Sequence, residues 1–281
     1  MTEITEIDFL FGSDSDKGKV MPGLRRLKES GLIQPVVHYI SADNNSETDV
    51  GLVIKRVKDR RREHEVYIGG AGFCNQLAGT LRKGARLQDL PVAVPISDIE
   101  TDGVASFLST TCKPPSNPLL TVGFNNTYAA GNIAYRFMQQ GFRGVSVLRR
   151  SDNDMAADKI IEDLKKAGIK AVAGLHPDLN DVVVNPVGTY DNVGGMDALL
   201  MSEGGRGIQI AVSVNPISNF REYVHSLDDT DVTAMVNYSN SWANVVYAVA
   251  QVIQHKGALA ELAQKRQTKA EHLRNLLPER I

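Results

Sequence analysis

Residues 7–16 read Ile7-Asp8-Phe9-Leu10-Phe11-Gly12-Ser13-Asp14-Ser15-Asp16, a short apolar run that stops on a glycine and opens into hydroxyls and carboxylates. Such a run, bounded by turn residues, predicts a buried strand of a parallel sheet. Behind it, Val20, Met21, Leu24 and Leu27 recur at helical spacing over residues 17–30, with Lys and Arg on the other face. Strand, polar turn and amphipathic helix form the first unit of an α/β fold.

The unit recurs along the chain. Strands are predicted at 35–40 (PVVHYI), 65–68 (EVYI), 91–96 (PVAVPI) and 119–124 (LLTVGF). Helices are predicted at 48–61, with a basic end, and at 127–140. A second series follows, with strands at 145–148, 170–173, 182–184, 208–214 and 232–236. Its helices fall at 156–167, within 188–200 after a loop, and at 241–255. A charged amphipathic tail, 257–281, is read as a packing helix. The alternation predicts a three-layer αβα parallel sheet of the flavodoxin-like kind.

The two series align in four blocks, in order. SDSDKGKVMPGLRRLKESGL from Ser13 answers SDNDMAADKIIEDLKKAGI from Ser151, and GAGFCNQLAG from Gly70 answers PVGTYDNVGG from Pro186. PVAVPISD from Pro91 answers QIAVSVNP from Gln209, and NTYAA from Asn126 answers NSWAN from Asn240. The sequence therefore predicts two tandem copies, over 1–142 and 143–256, the second lacking the helix between its second and third strands.

Composition narrows the function classes. The 281 residues carry 31 basic and 33 acidic side chains, a formal charge of −2, which gives no electrostatic reason to expect nucleic acid or an anionic membrane as partner. No apolar run approaches the roughly 20 residues of a membrane span. The opening MTEITEIDFLFG is acidic, unlike a signal peptide. Two cysteines, Cys74 and Cys112, exclude a disulfide scaffold and a multi-cysteine metal site. The expectation is a soluble, cytoplasmic protein without a metal.

In open parallel sheets, ligands sit beyond the carboxyl ends of the strands. The first such exit is Gly12-Ser13-Asp14-Ser15-Asp16, suited to an anion or to a polar nucleoside or sugar; Ser13 or Ser15 could equally cap the helix. It is neither a P-loop nor a dinucleotide fingerprint. The second exit, Ser41-Ala42-Asp43-Asn44-Asn45-Ser46, has turn chemistry. The third runs from Gly69 to Gly79, where Gly70, Ala71 and Gly72 let a ligand approach backbone. Cys74 is there as a possible nucleophile or as a small core residue.

In this order the three exits resemble the PurE family of aminoimidazole ribonucleotide carboxylases and N-carboxyaminoimidazole ribonucleotide mutases. Gly12, Ser13, Ser15 and Asp16 match its G-S-x-S-D motif, and Ser41 and Ala42 match its S-A-H-R-T-P motif. Gly70, Ala71, Gly72, Leu77 and Gly79 match its G-A-G-G-A-A-H-L-P-G motif. Gly103, Val104, Ser106, Ser109 and Pro114 echo a fourth stretch. The resemblance covers residues 5–140 well and 145–281 as a weaker copy.

The resemblance implies a flat octamer with sites between subunits, and carboxylate transfer at carbon 4 of an aminoimidazole ribonucleotide in purine biosynthesis, by a lyase or a mutase without metal or organic cofactor. It implies that Gly12, Ser13, Ser15, Asp16, Ser41, Ala42, Gly70, Ala71, Gly72, Asn75, Gln76 and Leu77 hold the substrate. A duplicated chain would then form a homotetramer in place of the octamer.

The departures are specific. The family's proton-moving His is Asp43, its adjacent Arg is Asn44, and its third-motif His is Gln76. An Asp does that work only if its pKa rises toward neutrality. The second series keeps Ser151 and Asp154, gains Arg150 as a possible phosphate ligand, and carries His176 at its second exit, aligned with Asp43. Asp43 and His176 are therefore the catalytic candidates, either in separate sites or in a composite of Ser13, Asp16 and His176. Three functions stand: a PurE-like carboxylase or mutase, a relative acting on another small heterocyclic acid or nucleotide, and a non-catalytic binding protein.

Overall fold

A computed structural model describes residues 5–40, 51–55, 59, 63–72, 76–97, 103–113, 117–139, 141–150, 154–174, 177–187, 191–202, 205–214, 224, 226–236 and 242–276. Ten strands form one sheet: β1 (Thr5–Phe11), β2 (Ile33–Tyr39), β3 (Val66–Ala71), β4 (Leu90–Pro95), β5 (Leu120–Thr121), β6 (Val145–Val147), β7 (Ala171–Ala173), β8 (Val182–Val187), β9 (Ile208–Ser213) and β10 (Thr233–Met235). The helices are α1 (Lys17–Glu29), α2 (Gln76–Gly84), α3 (Val104–Thr111), α4 (Thr127–Gln139), α5 (Asp154–Lys166), α6 (Asp191–Met201), α7 (Trp242–Val252) and α8 (Lys256–Leu276). Residues 51–55 are also helical.

The sheet order is β2-β1-β3-β4-β5-β10-β9-β8-β6-β7. Read outward from the centre, the first five strands and the last five have the same order, and every pair within each set is parallel. The sets meet antiparallel, with Met235 opposite Thr121. Register corresponds as well. Phe9 opposite Ile68 recurs as Val147 opposite Val184, Val66 opposite Leu90 as Val182 opposite Ile208, and Val92 opposite Leu120 as Ile210 opposite Ala234. These pairs keep the offsets of the four sequence blocks, carried outward into the strands that flank them.

Burial explains the composition of the strands. All six residues of β4, β8 and β9 are buried, because helices cover both faces of a parallel sheet and strands there read as continuous apolar runs. One apolar core runs beneath both sets, from Phe9, Leu27 and Phe137 to Ile160, Ile210 and Val249. Helices α1 and α5 both end in a left-handed glycine, Gly31 (φ 70°) and Gly168 (φ 76°). After α5 the Gly168 and Ile169 N–H groups return to the Lys165 and Leu164 carbonyls, which closes the helix end.

The join is made by side chains more than by the ladder. The Asn126 amide reaches the Leu227, Asp228 and Thr230 carbonyls at 3.3, 3.0 and 2.6 Å. Arg136 of α4 donates to the Leu200 carbonyl at 3.0 Å and also to the Gly207 carbonyl. Its guanidinium, desolvated there, has its pKa pushed down.

Three expectations change. Strand β3 runs on through Gly69 and Gly70 to Ala71, where a loop was expected after Ile68, because both glycines pair with β4. At Gly69 a methyl group would stand 2.6 Å from Leu81 Cδ1, so this glycine lets α2 lie on the sheet. Strand β5 is two residues long, not six, and Gly123 beyond it passes against the Leu227 carbonyl, 2.3 Å from where a Cβ would sit. Strand β8 continues through Asn185-Pro186-Val187.

Candidate functional site

The exit of β1 is a built turn. Ser13 caps the short 3-10 turn Asp14–Asp16, its Oγ accepting from the Ser15 N–H at 3.2 Å and from the Ser15 hydroxyl at 2.9 Å. Ser13, Asp14 and Ser15 are exposed, whereas Asp16 is buried. Burial pushes the Asp16 carboxyl above its ordinary pKa, against the pull of the Lys19 ammonium and a Ser13 backbone N–H. Gly12 donates to the Gly70 carbonyl at 3.0 Å, and a Cβ on Gly12 would lie 3.1 Å from that of Ala71. The first and third exits are thus adjacent.

Three residues that sequence reading passed over complete this edge. Lys19, one turn into α1, donates its ammonium to the Ser97 carbonyl just past β4. Ser97 is held by Asn125, which accepts from its N–H at 3.1 Å and donates to its Oγ at 2.9 Å. Asn125 takes φ 55°, a left-handed turn that Asn tolerates. Testing every strand exit rather than three would have found Ser97 and Asn125. Ser106 of α3 donates to the Ala71 carbonyl at 2.6 Å, fixing the third exit from above. Tyr39, at the end of β2, has its phenol pKa raised by burial and then by the Asp14 and Asp16 charges.

The structure thus gathers Gly12, Ser13, Ser15, Asp16, Gly70, Ala71 and Gly72 on one edge, with Lys19, Ser97 and Asn125. Leu77 is fully buried, in one cluster with Leu10, Tyr67 and Leu81. Gln76 opens α2. Asp154 opens α5 and pairs with Arg149 at 3.2 Å. Ser41, Ala42, Asp43, Asn44, Cys74, Asn75, Ser151 and His176 lie outside the described residues.

Strands β1 and β7, which lead to Ser13 and toward residue 176, stand eight strand positions apart, on the order of 40 Å at about 4.8 Å per strand. Ala171 stands opposite Val145 as Pro35 stands opposite Ile7, so counted from these matched residues position 176 comes three residues sooner than position 43. Among the described residues, no His, Cys, Asp or Glu cluster could hold a metal ion. No helix among them is long and apolar enough to cross a membrane.

This edge lies at the carboxyl ends of a five-stranded parallel set, the place where open α/β sheets bind their ligands. The AIR carboxylase family model matches residues 6–156, from β1 into the start of α5, and the chain belongs to that family. It is 32% identical over 162 residues to the N5-carboxyaminoimidazole ribonucleotide mutase of Pyrococcus horikoshii, covering 57% of this chain and 87% of that protein. It is 33% identical over 135 residues to the chloroplastic phosphoribosylaminoimidazole carboxylase of Vigna aconitifolia, covering 48% of this chain but only 23% of that protein. Among solved structures, a putative transcriptional regulator from Clostridium difficile 630 aligns at 13% identity and a TM-score of 0.29, over 77% of this chain and 62% of that one, and carries no argument.

Proposed function

We propose that the first strand set carries the working site of a PurE-like carboxylase or mutase, acting on an aminoimidazole ribonucleotide in purine biosynthesis. The observation that carries this reading is the Gly12–Asp16 turn seated against Gly70–Gly72, inside the region matched by the family model. Ser13 and Ser15 hold hydroxyls outward toward the ligand, and Asp16 takes a ribose or phosphate-side hydrogen bond. Asp43, in the place of the family's His, moves the proton as the carboxylate joins or leaves carbon 4; Ser41, Ala42, Asn75 and Gln76 complete the binding set. The reading needs no cofactor.

The same proposal takes 1–142 and 143–256 as two diverged copies and 257–281 as a packing segment. The recurring strand order and register support this. Four chains then assemble as the counterpart of an octamer.

Calorimetry with aminoimidazole ribonucleotide, paired with an ultraviolet assay of carboxylate transfer, tests the site. Binding and turnover that both fall at least tenfold in Ser13→Ala and Asp16→Asn are expected; turnover untouched by either variant ends the proposal. Asp43 and Asn44 in place of His and Arg favour a second reading, a related enzyme for another small heterocyclic acid or nucleotide. Tight binding of aminoimidazole ribonucleotide removes it.

A further inference from the structure

A cavity of about 330 Å³ lies against the first turns of α8. Two of its lining residues, Leu87 and Gln88, lead into the amino end of β4, and a third, Glu63, precedes β3. The cavity therefore sits at the amino ends of the first strand set, the opposite edge of the sheet from the Gly12–Asp16 turn. Its volume is at the small end of the roughly 300–1,000 Å³ usual for ligand sites.

The walls are held in place. Gln251 of α7 donates to the Leu87 and Asp89 carbonyls at 3.0 and 3.2 Å, and Gln254 donates to the Gln88 and Gln251 carbonyls at 2.9 and 2.5 Å. These bonds pin the connection between α2 and β4 to the joint between α7 and α8. Gln254 itself takes φ 56°, a left-handed conformation that persists only where the surroundings fix it. After it, His255 caps α8, its Nδ1 accepting the Ala258 N–H at 3.2 Å.

The lining divides by chemistry into three parts. Leu87, Leu259, Ala260 and Ala263 form an apolar wall. Glu63 supplies an anion and Lys256 a cation, and among the described residues neither forms an ion pair, with the other or with a third group. Gln254 supplies an acceptor. Only its NH2 group can donate to two carbonyls, so its Oε1 is left without a donor among the described residues.

These parts select one class of ligand. A simple anion would be repelled by Glu63 and a simple cation by Lys256. An uncharged apolar molecule would strip water from both charges and pair neither. A molecule that carries an ammonium, a carboxylate and a short hydrocarbon chain satisfies all three. We infer that this cavity is a binding site for a free aliphatic amino acid. Lys256 takes its carboxylate, Glu63 and the Gln254 Oε1 take its ammonium, and the Leu87–Leu259–Ala260 wall takes its side chain. The site is separate from the one at the carboxyl ends of the strands and rests on no assignment of activity there.

The test is calorimetric titration of the full chain with L-leucine and with three probes that each lack one feature: isovalerate without the ammonium, isopentylamine without the carboxylate, and glycine without the side chain. Loss of one charged hydrogen-bonding group typically weakens binding about tenfold or more, and each probe is expected to bind that much more weakly than leucine. Glu63, Lys256 and Ala260 are exposed, so variants there should fold, and circular dichroism checks that they do. Ala260→Trp fills the cavity and should abolish leucine binding. Glu63→Gln should narrow the gap between leucine and isovalerate, and Lys256→Gln the gap between leucine and isopentylamine, changes of preference that damage to the fold would not produce. Ser13→Ala should bind leucine as the wild type does, whatever it does to turnover. A wild type that does not bind leucine at millimolar concentration, a folded Ala260→Trp that binds it unchanged, or a singly charged probe that binds as tightly as leucine overturns the inference.

Discussion

Replacing Gly23 with alanine tests whether the α1–α4 contact is as close as the backbone places it. A Cβ on Gly23 would stand 2.2 Å from Thr127 Oγ1 and 2.8 Å from the Tyr128 backbone nitrogen. Ordinary contact begins near 3.4 Å, so the clash with the hydroxyl is about 1.2 Å deep. Thr127 cannot easily turn away. It is fully buried, and its hydroxyl donates to the Val20 carbonyl at 2.9 Å. Overpacking of this kind costs roughly 1–3 kcal/mol, and loss of the hydroxyl's bond adds about 1 kcal/mol. Against this, alanine gains up to about 1 kcal/mol of helix propensity. The net expectation is a loss of about 2 kcal/mol. Gly195 is the matched control: it lies inside α6, is exposed, and would bring its Cβ within 4 Å of nothing. Gly195→Ala should gain about 0.5–1 kcal/mol from propensity alone. Urea denaturation of both variants reads the difference directly. If Gly23→Ala unfolds at the same urea concentration as the wild type or higher, the close approach of α1 and α4 is wrong.

Asp16→Asn should alter stability with a definite pH dependence. Burial raises the folded-state pKa of Asp16, so its charged form costs stability at neutral pH; that cost disappears as pH falls through the raised value toward 3.8. The variant should be the more stable at pH 7, with the gap closing in acid; a gap that widens in acid would contradict the assignment. Arg136→Ala should cost about 2–4 kcal/mol, because two buried carbonyls lose a charged donor, and amide exchange near Leu200 and Gly207 should speed up well before global unfolding. Gln251→Leu should cost about 1–2 kcal/mol in a thermal melt, since Gln251 ties α7 to the Leu87 and Asp89 carbonyls at 3.0 and 3.2 Å.

Much of the fold is legible in the sequence because parallel strands covered on both faces must be apolar throughout. The runs at 7–11, 91–96 and 208–214 announce themselves in this way, and the helical spacing of Val20, Leu24 and Leu27 matches the residues α1 buries. Glycines mislead, because Gly69 and Gly70 look like a ligand loop yet lie within β3, where Gly69 lets α2 approach and Gly70 leaves room for the Phe11 ring. The short α3 carries no clear period, since Ser106, Thr110 and Thr111 are buried alongside Phe107. At the site, Ser13 and Asp16 stand where the strand-exit rule puts them. Lys19, Ser97 and Asn125 come from three separate elements, and only their convergence at the sheet edge identifies them. The antiparallel join, and with it the separation of Ser13 from the second set, follows from long-range pairing that local patterns do not encode. A buried chain of side-chain bonds, Arg150 to Asn185 at 2.6 Å, Asn185 to Gln209 at 2.6 Å and Gln209 to Thr233 at 2.7 Å, is hidden for the same reason. Asn185, Gln209 and Thr233 read as interruptions of apolar strands until the register lines them up.

The ladder across the seam is short, one bridge between Met235 and Thr121 among the described residues, and shared apolar clusters with amide and guanidinium bonds carry the rest. Two separate chains held by such a seam would associate only in proportion to their concentration. Here the backbone running from α4 through residues 141–144 into β6 leashes the partners at a fixed, very high local concentration. Each set can therefore accumulate changes at the seam that would dissolve an ordinary dimer, and the number of intact molecules is insensitive to how much protein the cell makes.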